Sequence, residues 1–220
     1  MSANPVHRST RPRGGSPSST PGPLDELAAR LQVHQPRRLP GRQWVARCGV
    51  VLLIAEQGMA GDAAPALLMM RRAERAGDPW SGHVSFPGGR GDPRDPSTRA
   101  TALRELQEET GLPADGPIAP MGRLSDLLTR EHGRNRPMVV TPYVYRIPNA
   151  VALTPSVEAA SLWWEPLHKL VDAGLRRTVI WRVAGLPLPF PSIEVNGARL
   201  WGLSLMMVNE LVRATGLQKR

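Results

Sequence analysis

The chain has 220 residues, of which 41% are hydrophobic and one is cysteine, and its formal net charge is +9. This composition supports a packed core and excludes a wholly disordered chain, and a lone cysteine excludes an internal disulfide. No run reaches the roughly 18 apolar residues that a transmembrane helix needs, so we expect a cytoplasmic protein. The positive charge favours polyanionic partners in general, such as nucleic acid, phosphorylated metabolites or anionic membrane.

Residues 1–40 are predicted to form a basic, disordered N-terminal arm. Residues 1–23 are rich in Pro, Gly, Ser and Arg and contain no acidic residue, a composition that is typical of disorder. Residues 24–32 are compatible with a short helix, because Leu24, Leu27 and Leu31 would share one side of it. A single folded domain is expected over residues 41–220.

The folded region is predicted to mix strands and helices without the regular alternation of a doubly wound parallel sheet. Cys48 lies in the apolar run CGVVLLIA, so we interpret it as a core residue of a strand and not as a nucleophile. Strands are expected over residues 44–54, 66–71, 84–86, 121–127, 138–147 and 161–164. Helices are expected over residues 97–110, 166–173 and 202–215.

The helix over residues 97–110 has clear boundary signals. Asp95 is a candidate N-cap, and Pro96 suits the first helical position. Gly111 suits the C-terminal stop. Alanine and leucine residues inside the segment supply apolar packing, so this helix is expected to lie against the core.

Three carboxylates share one face of this helix. Glu105, Glu108 and Glu109 are spaced i, i+3 and i+4, which brings their side chains together. Clustered carboxylates repel each other, and hard divalent cations prefer this kind of all-oxygen cluster. Gly88 and Gly89 lie just upstream, where the backbone can approach a metal ion or a phosphate closely. The pattern predicts a divalent metal site, with a solvated acidic helix face as the alternative.

Residues 86–112 resemble the Nudix box. In that box a Gly is followed after five residues by Glu, and after seven more by Arg-Glu-aliphatic-x-Glu-Glu-x-Gly-aliphatic. Residues 104–112, RELQEETGL, match the second half at every fixed position. In the first half the expected Glu falls on Asp95, counted from Gly89, and eight residues separate Asp95 from Arg104. The box is therefore extended by one residue, with Asp in place of Glu.

The extended box is similar to that of the Nudix branch that hydrolyses coenzyme A. That branch has a motif close to Gly-x-Val-x-Phe-Pro-Gly-Gly before the box, and residues 82–89 of this chain are GHVSFPGG. It also tends to have Thr-Ala-Leu-Arg-Glu and a late aliphatic-Trp-Gly-Leu, which match residues 101–105 and 200–203. Its usual Leu-Arg-x-His is replaced here by GDPW at residues 77–80.

The resemblance implies an α/β/α sandwich with a mixed sheet and a catalytic loop-helix-loop. It implies that Glu105 and Glu109 bind Mg²⁺ or Mn²⁺, that Glu108 is a further ligand or a base, and that the carbonyl of Gly89 completes the metal shell. Arg104 is assigned to the same catalytic group, because its guanidinium can orient a carboxylate. The implied chemistry is attack of water on one phosphorus of a diphosphate.

Three residues near the box have two open interpretations each. Asp95 is either a metal-site residue or a helix cap. Glu158 is either an additional acid near the metals or a solvated loop residue. His83 either faces the ligand or is a plain strand histidine.

Substrate binding is assigned to Arg71, Gly88, Gly89 and Arg130. Arg71 ends a strand, and Arg130 begins a basic loop over residues 130–136 that suits a phosphate or else is a solvated hairpin loop. The tryptophans are candidates to stack on an adenine or else to serve in packing, namely Trp80, Trp163 and Trp164.

The expected partner is a small nucleotide diphosphate, with no nucleic acid and no membrane. For coenzyme A or its thioesters, hydrolysis would give 3′,5′-ADP and 4′-phosphopantetheine. Alternative substrates are ADP-ribose, NADH and dinucleoside polyphosphates. A further alternative is a non-catalytic scaffold that binds nucleotides or RNA. The oligomeric state is left open, a homodimer included.

Overall fold

The computed structural model describes residues 22–59, 64–78, 80–113, 115–131, 136–183 and 185–217, so the disorder predicted for residues 1–21 lies outside the described residues. The helices are α1 Pro23–Val33, α2 Thr98–Thr110, α3 Leu167–Leu170 and α4 Gly202–Thr215. The strands are β1 Ala46–Gln57, β2 Ala66–Arg72, β3 Val84–Ser85, β4 Gly88–Arg90, β5 Ala119–Arg123, β6 Leu127–Arg130, β7 Pro137–Asn149, β8 Ala159–Pro166, β9 Arg176–Val183, β10 Leu186–Val195 and β11 Ala198–Trp201. Within these ranges no helix is long and apolar enough to cross a membrane.

The main sheet has eight strands and is mixed. Strands β1 and β7 pair in parallel along nearly their whole length, from Ala46 beside Met138 to Gln57 beside Asn149. All other pairs in this sheet are antiparallel: β2 and β4 with β1, β3 and β8 with β2, and β5 and β6 with β7. The central strands are therefore covered on both edges, and β4 lies beside the first half of β1.

Strand β1 is buried on both faces, so its alternate residues point into two different cores. One core joins β1 to α2 and contains Val51, Leu53, Ala55, Ala102 and Leu106. The other joins β1 to α1 and α4 and contains Val50, Leu52, Ile54, Leu24, Leu27, Leu205, Val208 and Leu211. Because helices cover both faces of a mixed sheet, the predicted α/β/α sandwich is confirmed.

Helix α1 is part of this packed structure. Three leucines are buried on its inner side, as the spacing predicts: Leu24, Leu27 and Leu31. The segment after the helix is held as well, because the backbone N–H of Leu39 donates to the buried carboxylate of Asp126 at 3.0 Å. Packing therefore begins before residue 41, where the sequence analysis set the start of the domain, since the leucine stripe of α1 contributes to the core.

The strand expected over residues 121–127 is divided into β5 and β6. Between them, the carboxylate of Asp126 turns inward and is fully buried. It accepts hydrogen bonds from Arg42 at 2.8 Å and from Arg123 at 2.6 Å. These charge-assisted bonds hold the Asp126 carboxylate inside the fold between the two strands. The helix expected over residues 166–173 is shortened to the single turn α3.

Strands β9, β10 and β11 form a separate three-stranded antiparallel sheet that the sequence analysis missed. Strand β10 is interrupted by three prolines, at positions 187, 189 and 191, and proline argues against a strand because it cannot donate a ladder hydrogen bond. Here the prolines alternate with residues whose N–H groups can all point to β9, which pairs with β10 from Leu186 to Ile193. Strand β11 pairs with β10 only from Ser192 onward, beyond the prolines.

Candidate active site

The carboxylates of α2 meet the double glycine of β4. The backbone N–H of Gly88 donates to Glu109 Oε2 at 2.8 Å. A Cβ at Gly88 would collide with the backbone of Gly49 and Val50, and a Cβ at Gly89 would collide with the Glu105 carboxylate. A side chain at position 88 would therefore meet the backbone of β1, and one at position 89 would displace the Glu105 carboxylate from β4.

Glu109 is the most buried acidic side chain of this group, with the residue 3% exposed. Burial raises its pKa to about 7, the Gly88 N–H opposes that rise, and the nearby carboxylates of Glu105 and Glu158 add to it. Burying a carboxylate disfavours its charged form unless a cation compensates. Glu109 is therefore in an environment that a bound cation would stabilise.

Glu105 lies over Gly89, and its side chain is 15% exposed. Burial raises its pKa, and the Arg104 guanidinium, whose Nη2 lies 2.9 Å from Glu105 Oε1, opposes this rise. The carboxylates of Glu108 and Glu158 raise the pKa further. Glu105 and Glu109 thus form a pair of acidic side chains on one face of α2, as the spacing predicts.

Arg104 holds the third carboxylate and the loop before the helix. Its Nη1 donates to Glu108 Oε2 at 2.8 Å. Its Nε and Nη2 donate to the two carboxylate oxygens of Asp95, each at 3.1 Å. This bidentate bond holds the pKa of Asp95 well below its usual range. The predicted orienting role of Arg104 corresponds to these contacts, and its bidentate partner is Asp95.

Asp95 does not cap α2, so of the two interpretations given for it the helix cap is wrong. The helix begins at Thr98, and Ser97 is its N-cap, with the Ser97 hydroxyl accepting a hydrogen bond from the N–H of Ala100 at 3.1 Å. Gly111 ends the helix with φ at +72°, as expected. The cap shifts because Asp95 is engaged by Arg104 and Ser97 is the next residue that can accept from the first turn.

Glu158 lies close enough to Glu105 and Glu109 to act on both electrostatically. Its loop is attached to the end of α2, since the N–H of Ser156 donates to the carbonyl of Glu109 at 3.2 Å. The Glu158 side chain is half exposed and pairs with Arg75 at 3.1 Å. Glu158 is therefore near the acidic pair without being enclosed by it.

The donor set fits a hard divalent cation. Within the described ranges, no three His, Cys, Asp or Glu side chains converge into a ready-made metal-binding group. Arg104 pairs with both Glu105 and Glu108, and the carboxylates of Glu105 and Glu109 lie beside the backbone of Gly88 and Gly89. Mg²⁺ usually keeps several waters and takes its remaining ligands from a few carboxylates and from substrate phosphates.

Two of the predicted substrate-binding residues lie away from the acidic pair. Arg71 lines a separate cavity, described below. Arg130 is exposed at the end of β6, and residues 132–135 of its loop lie outside the described residues. An ion pair of 2.5 Å between Arg90 and Glu131 joins the start of this loop to β4.

Cys48 pairs with Arg90 in the sheet, on the strand beside the box. Burial raises its pKa to about 12, and the carboxylates of Glu105 and Glu109 add to that rise. A thiol in this setting stays protonated at neutral pH, so Cys48 is not a nucleophile.

A cavity of about 260 Å³ lies between the end of β2 and the small sheet. We call it the aromatic pocket, and it is lined by Arg71, Gly82, His83, Val179, Trp181, Gly197, Ala198, Arg199 and Trp201. Trp80 packs against the rings of Trp181 and His83 at its rim.

Of the three tryptophans named as candidates for stacking, one lies at this pocket and two do not. Trp80 is in this cluster, whereas Trp163 and Trp164 lie on β8, where their indole N–H groups donate to Glu165 and to the carbonyl of Val151, each at 2.9 Å. The sequence analysis missed Trp181 and Arg199 as pocket residues. No local pattern marks them, because the pocket depends on how the small sheet docks.

The chain was compared with known proteins. The NUDIX domain family matches residues 45–182. The uncharacterized Nudix hydrolase NudL of Yersinia pestis (strain Pestoides F) is 30% identical over 154 residues, which cover 70% of this chain and 74% of the relative. A MutT/nudix family protein from Enterococcus faecalis superposes with a TM-score of 0.50 at 18% identity, covering 92% of this chain and 69% of that chain. An Ap4A hydrolase from C. elegans gives a TM-score of 0.47 at 16% identity, over 58% of this chain and 84% of that one.

The family match spans more than half of the chain and includes the box, so the chain belongs to the Nudix family. It is a Nudix hydrolase, a pyrophosphohydrolase that acts on nucleoside diphosphate derivatives with the help of divalent metal ions. Its predicted class of partner, a small nucleotide, follows from this membership.

Proposed function

We propose that this enzyme hydrolyses the diphosphate bond of coenzyme A or its thioesters, using Mg²⁺ or Mn²⁺, and releases 3′,5′-ADP and 4′-phosphopantetheine. The observation that carries the catalytic part is the junction of α2 and β4. There the Gly88 N–H binds Glu109, and the Glu105 carboxylate lies over Gly89. The choice of coenzyme A as the substrate is supported by the extended box and by the motifs at residues 82–89 and 200–203.

We assign metal binding to Glu105 and Glu109, with Glu108 as a further ligand or base and the Gly89 carbonyl completing the shell. A divalent cation bound there supplies positive charge to the diphosphate oxygens and makes water a stronger nucleophile. In the metal-free protein burial raises the pKa of Glu109 to about 7, and a bound cation would favour its ionised form. Arg104 fixes the rotamer of Glu108, and Asp95 fixes Arg104.

The reaction breaks one phosphoanhydride bond. Water adds to one phosphorus, the bond from that phosphorus to the bridging oxygen breaks, and the water proton is taken up by Glu108 or by solvent. The backbone of Gly88 and Gly89 allows the phosphate groups to approach the acidic pair closely. Arg71 and Arg130 are proposed to bind more distant parts of the substrate.

A second substrate class is favoured by one specific observation. Residues 77–80, GDPW, replace the motif that is usual in the coenzyme A branch. Asp78 in this segment accepts a hydrogen bond from Arg72 at 2.8 Å. An altered recognition segment is compatible with ADP-ribose, NADH or a dinucleoside polyphosphate as the substrate.

The test is a product analysis. Purified protein is incubated with coenzyme A, ADP-ribose, NADH and diadenosine polyphosphates, each with Mg²⁺ or Mn²⁺, and the products are separated chromatographically. The variant Glu109→Gln keeps the shape of the side chain and removes its charge. Glu194→Gln, on the exposed side of β10, is the matched control.

We expect 3′,5′-ADP from coenzyme A, almost none from Glu109→Gln, and normal yield from Glu194→Gln. Cleavage of another diphosphate in place of coenzyme A would overturn the substrate assignment and leave the metal chemistry intact. Full activity of Glu109→Gln would overturn the metal assignment.

A further inference from the structure

The aromatic pocket has a wall of four rings that come from three separate segments. Trp181 and Trp201 lie 4.9 Å apart between ring centroids. Trp80 lies 5.9 Å from Trp181 with the ring planes only 14° apart. His83 meets the edges of Trp181 and Trp201 at 5.6 Å and 5.2 Å. The rings hold one another in place, so the pocket is a preformed stacking surface.

Two arginines flank these rings, and both are exposed: Arg71 on β2 and Arg199 on β11. Within the described part of the chain, neither side chain makes a hydrogen bond or an ion pair. Arg104, in contrast, binds three carboxylates at once. The guanidinium fork of arginine matches phosphate geometry, so two unpaired arginines beside an aromatic wall form a site for an aromatic ligand that carries an anionic group.

Arg72 connects the aromatic pocket to the acidic pair. It acts electrostatically on Glu109 on one side and on His83 on the other. Its Nη2 donates to Asp78 at 2.8 Å, and its Nε is buried without a hydrogen-bond partner. The positively charged Arg72 side chain thus lies between the two sites. A ligand that spans both sites would place its diphosphate there.

The size of the pocket indicates that it holds part of a ligand. Its volume of about 260 Å³ is below the range of about 300–1,000 Å³ that is typical for sites enclosing a whole drug-sized molecule. The pantetheine half of coenzyme A has neither an aromatic ring to stack on tryptophan nor a charge to pair with two arginines. The nucleoside half has both when its ribose carries a phosphate.

We propose that the aromatic pocket binds the nucleoside half of the substrate, with the nucleobase stacked on Trp181 and Trp201 and a ribose phosphate bound by Arg71 and Arg199. This inference rests on the proposed function, because it assigns one half of the same diphosphate substrate. It places the diphosphate itself beside Arg72, between the aromatic pocket and the acidic pair.

The test measures binding without turnover. Metal-free protein is titrated with 3′,5′-ADP and with 5′-AMP, which differ by the ribose phosphate, and binding is followed by calorimetry and by quenching of tryptophan fluorescence. We expect 3′,5′-ADP to bind about tenfold more tightly, the effect of one good charged contact. Arg199→Met is expected to remove this preference and to leave 5′-AMP binding unchanged. Trp181→Leu is expected to weaken both ligands about tenfold, the usual effect of losing one base-stacking ring.

The controls match the variants in residue type. Arg182→Met is on the same strand as Trp181 but on the opposite face, where Arg182 binds the carbonyl of Gly185. Trp44→Leu removes a tryptophan that is 83% exposed and outside the pocket. Circular dichroism and thermal melting check each variant. If Trp181→Leu fails to fold, Arg199→Met still tests the inference, because the Arg199 side chain is on the surface and its replacement should not disturb the fold.

The outcomes separate this inference from the proposed function. Nucleotide binding that depends on Arg199 and Trp181 supports the aromatic pocket even if no diphosphate is cleaved, in which case the proposed function fails alone. If coenzyme A is cleaved while both variants keep wild-type KM and wild-type 3′,5′-ADP affinity, the pocket inference is overturned and the proposed function stands.

Discussion

The box site and the aromatic pocket are built in different ways. In the box site, neighbouring residues of one helix and one short strand hold each other: Arg104 binds Asp95, Glu105 and Glu108, and Gly88 binds Glu109. In the aromatic pocket, rings from distant segments form a wall, and the side chains of the flanking Arg71 and Arg199 make no hydrogen bond or ion pair in the described chain. The first site is electrostatically complete apart from a cation, whereas the second has charges that a ligand would neutralise. We therefore expect variants of the box site to change kcat and variants of the pocket to change KM.

The largest effect is expected from Gly89→Ala. The new Cβ would collide with the Glu105 carboxylate, so Glu105 must move away from β4. With several kcal/mol of charge stabilisation dependent on the metal, kcat should fall on the order of a thousandfold. Steady-state kinetics over a titration of Mg²⁺ measure the loss.

Gly91→Ala is the control for this change, because a Cβ there meets its nearest atoms at 3.5 Å and 3.6 Å, which is ordinary contact. Its kcat should match the wild type. A raised KM with unchanged kcat in Gly89→Ala would contradict the division of roles between the two sites.

The next effect concerns the stability of the metal-free protein. Burial raises the pKa of Glu109 to about 7, from an ordinary value of 4.5. The folded state therefore holds this proton more tightly than the unfolded state, and stability falls as pH rises from 4.5 through 7. The loss attributable to Glu109 is about 3 kcal/mol.

Chemical denaturation of the metal-free protein at pH 5 and pH 8 measures this loss. Glu109→Gln should reduce the difference between the two pH values by that amount, since glutamine does not titrate. An identical pH dependence in the wild type and the variant would show that Glu109 is already ionised at pH 5.

Asp95→Asn is expected to have a smaller effect. It weakens the bidentate bond that orients Arg104, and loss of such a supporting contact usually costs about 10- to 100-fold in activity or metal affinity. Asp92→Asn is the matched control, because Asp92 is in the same loop and pairs with the exposed Arg94. Metal-dependence curves for both variants make the comparison. Equal losses would mean that Arg104 is not positioned by Asp95.

The smallest effect is expected from Glu158→Gln. The side chain is half exposed and pairs with Arg75 on the surface, so we expect less than about a fivefold change in kcat. Arg75→Gln removes the other partner and should behave alike. A loss comparable to that of Glu109→Gln would make Glu158 a metal ligand.

The geometry of helix α2 could be predicted from sequence because its signals are local. The spacing of Glu105, Glu108 and Glu109 predicts one helix face, and Gly111 predicts the end of the helix. The error at Asp95 has a physical origin: Asp95 and Ser97 can both cap a helix, and the choice depends on Arg104 reaching back nine residues to take one of them.

The aromatic pocket could not be predicted in the same way. Trp181 and Trp201 are 20 residues apart in the chain, and their proximity depends on the pairing of β9, β10 and β11. This pairing was not predicted, because the prolines of β10 argue against a strand there. The ion pair of the buried Asp126 with Arg42 was equally difficult to predict, because these two residues are 84 positions apart in the chain.

The prolines of β10 have a consequence for self-association. An exposed strand edge usually offers a row of N–H donors to which a second chain can add. In β10 the row is missing at three alternate positions, 187, 189 and 191, while Leu186 and Leu188 in the same stretch are 65% and 41% exposed. The apolar side chains would make this hairpin prone to aggregate as an extended sheet. The missing donors prevent that extension, so the segment can expose apolar surface without templating a fibril.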